Sequence, residues 1–321
     1  MEARLKFPDF LVIGALKCGT TTLCQDLMQH PGIFMPASKE VGDLKDDRVL
    51  TRAGRASYAD YFRFADPAQL CAEGATAYTR LPKFQGVPAR VHAVCGPQTR
   101  MLYIVRDPYE RIRSHHAQIV QRPGIPEDIN EAVHQIPDFV DYSKYAMQLG
   151  PWLEQFPGTQ IAVVCLEGYK RHRQATMDAI YRFVGREPIR LADPNAVHNS
   201  VGQRRRVDGV FYRMITSKFY KAYLQQLSPK ALRRPLRKIL SRPAPVPAVG
   251  AISPETRKWL EAQLRDDQRE FAAMLGFSEM AWTDEAATSL WGESSLRILG
   301  QTATPRDGAG KSRGNSVPWA S

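Results

Sequence analysis

At 321 residues, 43% hydrophobic and 24% charged, the chain has the bulk for one large α/β domain, alone or with a helical extension, and the surface charge of a soluble protein. Its net charge of +11 is concentrated: residues 203–254 hold twelve Lys/Arg and one acid, Asp208, so the remainder is close to neutral. The five cysteines form no CxxC pair and have no His at ligand spacing, and the apolar run at 10–16 is too short for a bilayer; these features speak against a cysteine–histidine metal site and a membrane anchor, and point to free thiols in a cytoplasmic protein without a signal peptide.

In chain order, the apolar run Phe10–Ile13 predicts a strand buried on both faces. A glycine turn follows, then a helix from about Thr20 to Gln29, with Leu23 and Leu27 on one face and His30-Pro31 at its end. Leu70–Ala72 is a candidate second strand. Met101–Val105 is another, and it runs into Asp107-Pro108-Tyr109-Glu110, the pattern of an N-cap, Pro at the first position and Glu at the third. Gln160–Cys165 predicts a fourth strand and Gln174–Val184 a helix. Residues 211–227 and 230–240 read as basic helices, and 242–251 as a Pro-rich linker. Ser253-Pro254-Glu255 opens a helix with Leu260, Leu264, Phe271 and Leu275 inward, closed by Gly276. This alternation predicts an α/β fold, a parallel sheet with helices packed on it. The expected domain covers 1–285, with a core at about 8–200, a helical extension at about 205–280 and a disordered tail at 300–321.

The turn after the first strand reads Gly14-Ala15-Leu16-Lys17-Cys18-Gly19-Thr20-Thr21-Thr22. A strand, a glycine-bounded turn and a helix start aim backbone N–H groups at one point, which suits a phosphate or sulfate. The GxxxxG spacing is that of a P-loop, but Lys17 precedes the second glycine instead of following it, so a Walker A site is not present. At the end of the strand at 101–105 stands Arg106, where a nucleoside triphosphatase usually places a metal-binding Asp. Arg106 with Ser114, on the following helix, can clamp a second phosphate without a metal.

These two segments resemble those of the sulfotransferases that use 3′-phosphoadenosine-5′-phosphosulfate (PAPS), in particular the heparan-type and related bacterial branches. In that family a Lys-x-Gly-Thr-Thr/Ser loop holds the 5′-phosphosulfate, as Lys17-Cys18-Gly19-Thr20-Thr21 would here. An Arg-Asp/Asn-Pro-x-x-Arg-x-x-Ser segment holds the 3′-phosphate, matching residues Arg106 to Ser114. His30-Pro31, Lys39-Glu40, the run from Ala72 to Arg80, the series Tyr145, Leu149, Trp152, Leu153 and Phe156, and Glu167 also fit the family pattern. The likeness spans about residues 8–200 and continues loosely to Gly276.

The resemblance implies a three-layer P-loop-like fold and sulfuryl transfer from PAPS, giving 3′-phosphoadenosine-5′-phosphate (PAP), with no metal required. It implies cofactor contacts from Lys17, Cys18, Gly19, Thr20, Thr21, Thr22, Arg106 and Ser114, with Arg204 either reaching a phosphate or lying on a solvated turn. Lys17 stabilises the leaving phosphate, and Glu40 is the nominee for general base, the alternative being a plain surface Glu. Lys39, Glu73, Tyr78 and His116 are acceptor-side candidates, with core packing the competing role for His116. Where the heparan branch often carries a Lys after the equivalent of Glu73, this chain has Gly74. The acceptor is a carbohydrate, a lipid-linked molecule or a small molecule. The competing readings are a P-loop kinase and a protein that binds an anionic membrane peripherally through 204–242. The same stretch also reads as a solvated basic face, and no nucleic-acid partner is expected because stacking aromatics are not evident there.

Overall fold

The computed structural model describes residues 5–36, 40–193, 250–282 and 289–300 in full, and the backbone of 205–207 and 241–243. The strands are β1 (Phe10–Gly14), β2 (Ile33–Phe34), β3 (Leu70–Gly74), β4 (Arg100–Val105), β5 (Ile161–Cys165), β6 (Arg205–Val207), β7 (Ser241–Pro243) and β8 (Leu296–Ile298). The helices are α1 (Thr20–Leu27), α2 (Arg52–Ala59), α3 (Val87–Cys95), α4 (Pro108–Ile119), α5 (Ile129–Gln135), α6 (Asp138–Asp141), α7 (Tyr145–Gln155), α8 (Leu166–Arg171), α9 (Arg173–Val184) and α10 (Pro254–Met274).

The central sheet has the order β2-β3-β1-β4-β5-β8. Its first five strands run parallel, and β8 pairs antiparallel with β5. The expected α/β architecture is therefore present. β1 and β5 are buried along their whole length, because helices cover both faces and an unbroken apolar run is the stable choice there. Neighbouring residues of β3 show the two covered faces. Gly74 lies against Cys24 of α1, while Glu73 points the other way, to Tyr78. β8 lies past residue 285, so the sheet extends beyond the expected domain boundary. Three residues, one of them Arg297, are too short a pattern to announce an edge strand.

A second, smaller core joins Ile112 and Ile119 of α4, Ile129 and Val133 of α5, Phe139 of α6, and Leu260 and Leu264 of α10. α10 follows its sequence pattern closely. The Ser253 hydroxyl accepts from Thr256 N at 3.1 Å, Pro254 takes the first position, and Gly276 stops the helix with φ 75°. The predicted basic helices at 211–227 and 230–240 lie outside the described residues. Near their ends, β6 and β7 form an antiparallel pair.

From β1 the chain first builds the β2 and β3 side of the sheet, then crosses back to add β4 on the other. The strand order thus reverses between β1 and β4, and the crevice outside the carboxyl ends of strands at such a point is where open α/β sheets bind ligands.

Candidate active site

The loop from β1 to α1 forms one wall of that crevice. A Cβ at Gly14 would lie 2.0 Å from Thr79 Oγ1. The missing side chain lets the Thr76–Thr79 turn close on the strand end, where Thr79 Oγ1 donates to Ile13 O at 2.9 Å. The pairing of β1 with β4 shifts register between Val12 and Gly14, and Ala15 N donates to Ile104 O at 2.7 Å. Half-exposed Lys17 adopts φ 70°, a left-handed backbone that costs a non-glycine residue on the order of 1–3 kcal/mol. Gly19 precedes α1 with φ 89° and makes no side-chain cap, and a helix start of this kind carries a positive dipole that favours an anion. Cys18 is buried, and burial pushes its thiol up to about 12. It therefore stays protonated at neutral pH and is no nucleophile.

The turn from β4 to α4 forms the second wall. Asp107 Oδ1 accepts from Tyr109 N at 2.7 Å and from Glu110 N at 3.0 Å, which is the cap the sequence pattern predicts. Arg106 Nη2 donates to Glu110 Oε2 at 3.1 Å, and its Nε lies 3.9 Å from Glu167 Oε1. Glu167, just past β5, also accepts from Asp107 N at 3.3 Å, and burial raises its pKa. Ser114 sits half-buried on α4 about two turns beyond Arg106.

Behind this turn lies Arg111, which is 0% exposed. Its Nε donates to Ser143 Oγ at 2.7 Å and its Nη2 to Phe139 O at 2.6 Å, while Nη1 has no partner. Burial lowers its pKa, and it forms no ion pair with a carboxylate among the described residues. A buried guanidinium with an open N–H, close enough to Cys18 to act on its thiol, favours an anion in the crevice.

Glu40 stands beside the Thr76–Thr79 turn that follows β3. It is exposed, and its Oε1 accepts from Thr76 Oγ1 at 3.2 Å. Arg80 Nε donates to Thr76 O at 3.1 Å, and its Nη2 to Thr76 Oγ1. Burial lowers the Arg80 pKa, opposed by the charge of Glu40. Burial, followed by the charges of Arg111, Arg80, Lys17 and Arg122, pushes His115 down to about 2. The imidazole is thus neutral, and the cations that hold it so include both Lys17 of the loop and Arg80 beside Glu40.

Three acceptor-side candidates are buried, and His116 takes the core packing that competed with an acceptor role. Glu73 and Tyr78 are 0% and 2% exposed, and the Tyr78 hydroxyl donates to Glu73 Oε1. Burial raises Glu73 to about 8, so it holds its proton at neutral pH. His116 is 1% exposed, with Nε2 2.9 Å from Pro126 O and its ring against Phe139. All three are packing residues here, because the pattern that places them at strand and helix ends does not say which face they take. Gly74 also has a packing reason, since a Cβ there would lie 2.6 Å from Cys24 Sγ. Lys39 and Arg204 lie outside the described residues. Thr76, Arg80, Arg111 and Tyr145 had no assigned role from sequence, although each stands inside a segment that carried the resemblance.

A family model described as the sulfotransferase domain matches residues 7–201. The chain belongs to the sulfotransferase domain family. Among curated proteins, this sulfotransferase-family chain is 29% identical over 166 residues to mouse heparan sulfate glucosamine 3-O-sulfotransferase 6, covering 48% of this chain and 45% of that protein. It is 25% identical over 202 residues to mouse bifunctional heparan sulfate N-deacetylase/N-sulfotransferase 3, covering 57% and 23%. The chain thus spans less than half the length of these relatives. The sulfotransferase from Alicyclobacillus acidocaldarius shares its fold, with a TM-score of 0.60 and 18% identity over 86% of this chain and 99% of that one.

Proposed function

We propose that the chain transfers a sulfuryl group from PAPS to a hydroxyl or amine of an anionic carbohydrate, releasing PAP. The observation that supports this reading is that Lys17 and Arg106 follow the ends of the adjacent parallel strands β1 and β4. The residues fit the donor. The Gly14–Gly19 loop and the start of α1 suit the 5′-phosphosulfate, while Arg106 and Ser114 suit the 3′-phosphate. The open N–H of buried Arg111 gives this region a further preference for negative charge.

When bound, PAPS supplies the sulfuryl group and a stable phosphate leaving group. Lys17 and the loop N–H groups stabilise charge on the leaving oxygen, as fixed dipoles do in phosphoryl transfer. Glu40 takes the acceptor proton, and the Thr76 hydroxyl fixes the orientation of its carboxylate. Arg80 and Arg122 supply positive charge for an acidic acceptor, a class in keeping with the heparan sulfate of the relatives' names. The kinase reading fares worse. Arg106 stands directly after β4, where a nucleoside triphosphatase usually places its magnesium-binding Asp, and Asp107 instead caps α4.

The peripheral-membrane reading concerns residues outside the described set. No helix among the described residues is long and apolar enough to cross a membrane. Free cysteines at all five positions favour a reducing, cytoplasmic setting.

The test is binding followed by transfer. With EDTA present, PAP at a hundredfold excess over Kd should stabilise the protein by about 2.7 kcal/mol. Labelled PAPS should then sulfate heparan sulfate but not a neutral glucan. No thermal shift with PAP would overturn the donor assignment. Glu40→Gln should slow turnover about a hundredfold and leave PAP affinity within about twofold; an unchanged rate would remove Glu40 from the base role.

A further inference from the structure

Tyr145 is the first residue of α7 and is 0% exposed. Its single hydroxyl meets both half-sites. It donates to Arg106 O at 2.7 Å, lies 3.4 Å from the Arg106 amide that donates to it, and sits 3.7 Å from Cys18 Sγ. Burial keeps the phenol protonated, so the bond to Arg106 O has its donor at any physiological pH. The hydroxyl is thus a pin between the residue after β4 and the middle of the β1–α1 loop.

The pin is itself braced. The Tyr145 ring packs against Tyr103 at 6.0 Å, Phe271 at 5.4 Å and Trp282 at 5.9 Å between centroids. The cap residue of α7, Lys144, provides no side-chain cap. Asp267 of α10 does so from a distance: Oδ2 accepts from Ala146 N at 3.2 Å and Oδ1 from Met147 N at 2.8 Å. α10 lies past the 7–201 match to the sulfotransferase domain. A C-terminal helix therefore holds the first turn of α7, and with it the Tyr145 hydroxyl.

We propose that Tyr145 is a positioning residue that sets the spacing between the two phosphate half-sites, oriented in turn by Asp267 of α10. The proposal depends on the reading of those half-sites as the PAPS site. Two phosphates on one rigid nucleotide need sites at a fixed separation, whereas a single phosphate does not. Loss of the pin should reduce the advantage of carrying both groups and spare each group alone.

The experiment compares calorimetric Kd values for PAP, 5′-AMP and 3′-AMP on the wild type, Tyr145→Phe and Asp267→Ala, with Tm measured for each protein. In Tyr145→Phe, PAP should weaken about tenfold, the worth of one good buried hydrogen bond, while each AMP stays within about twofold. Asp267→Ala should show the same pattern at about threefold, and it carries the test if Tyr145→Phe does not fold. Equal weakening of all three ligands would make Tyr145 a plain structural residue and overturn the proposal, as would unchanged PAP binding. A different failure marks the underlying reading: a wild type that binds PAP no better than either AMP has no two-phosphate site for Tyr145 to align.

Discussion

The two walls of the crevice use opposite devices at equivalent places. Each is a strand end that runs into a helix, and the strands are neighbours. In the β1–α1 loop the helix cap is Gly19, which offers no side chain, and the cation Lys17 stands in a left-handed backbone. In the β4–α4 turn the helix end is closed by Asp107, and the cation Arg106 is bound by Glu110. The first wall has no side-chain cap on its helix. The second satisfies its own backbone and offers an anion only side chains, one of which must exchange a carboxylate for the ligand. The difference suggests a division of labour. The open loop is suited to the group whose charge changes during reaction, and the closed turn to a phosphate that is merely held.

The largest effect should come from breaking the open wall. Lys17→Ala should lower kcat about a thousandfold while PAP affinity falls far less, as judged by single-turnover rates alongside calorimetry. If binding and turnover fell together, the two walls would not differ in role. Arg106→Ala should act in the reverse sense, weakening PAP about tenfold to a hundredfold with little change in kcat, the measure of a lost charge-assisted bond. Asp107→Ala sharpens the comparison from the structural side. It should cost about 1 kcal/mol of stability, read as a Tm lower by about 2–4 °C, and leave PAP affinity nearly unchanged.

Glu73 belongs to neither wall and serves as the control. Its folded pKa is raised by burial to about 8, so the native state holds the proton longer than the unfolded chain. Stability from this group is complete below the unfolded pKa and is lost as pH rises towards about 8. Glu73→Gln should therefore show a Tm, relative to wild type, that improves between about pH 5 and about pH 8, with PAP affinity unmoved. A Tm difference that stays flat with pH would mean that Glu73 is already ionised in the fold.

Much of this was legible in the residues themselves. β1, β5 and the Met101–Val105 stretch of β4 are uninterrupted apolar runs because both faces are covered, and such runs stand out in any sequence. The caps at Asp107 and Ser253 are local contacts between residues two or three apart, so their pattern predicts them directly. The order of Lys17 before Gly19, and Arg106 at a strand end, separate this loop from a Walker A site on sequence alone. β8 and the roles of Thr76, Arg80, Arg111 and Tyr145 were not legible in this way, for they depend on which distant segment each residue meets.

What the sequence by itself determined, then, is the strands β1, β4 and β5, the capped helices α4 and α10, and the two strand-to-helix turns, since these follow from short-range periodicity, glycine placement and capping. Only the tertiary structure decided that the turns stand side by side, that Glu73, Tyr78 and His116 face inward, and that one hydroxyl on α7 joins the turns under the hold of α10. The physical reason is range. A cap or a buried strand is specified within a few neighbouring residues, whereas Tyr145 meets Arg106 and Cys18 across 39 and 127 positions of chain, a contact created only when the sheet assembles.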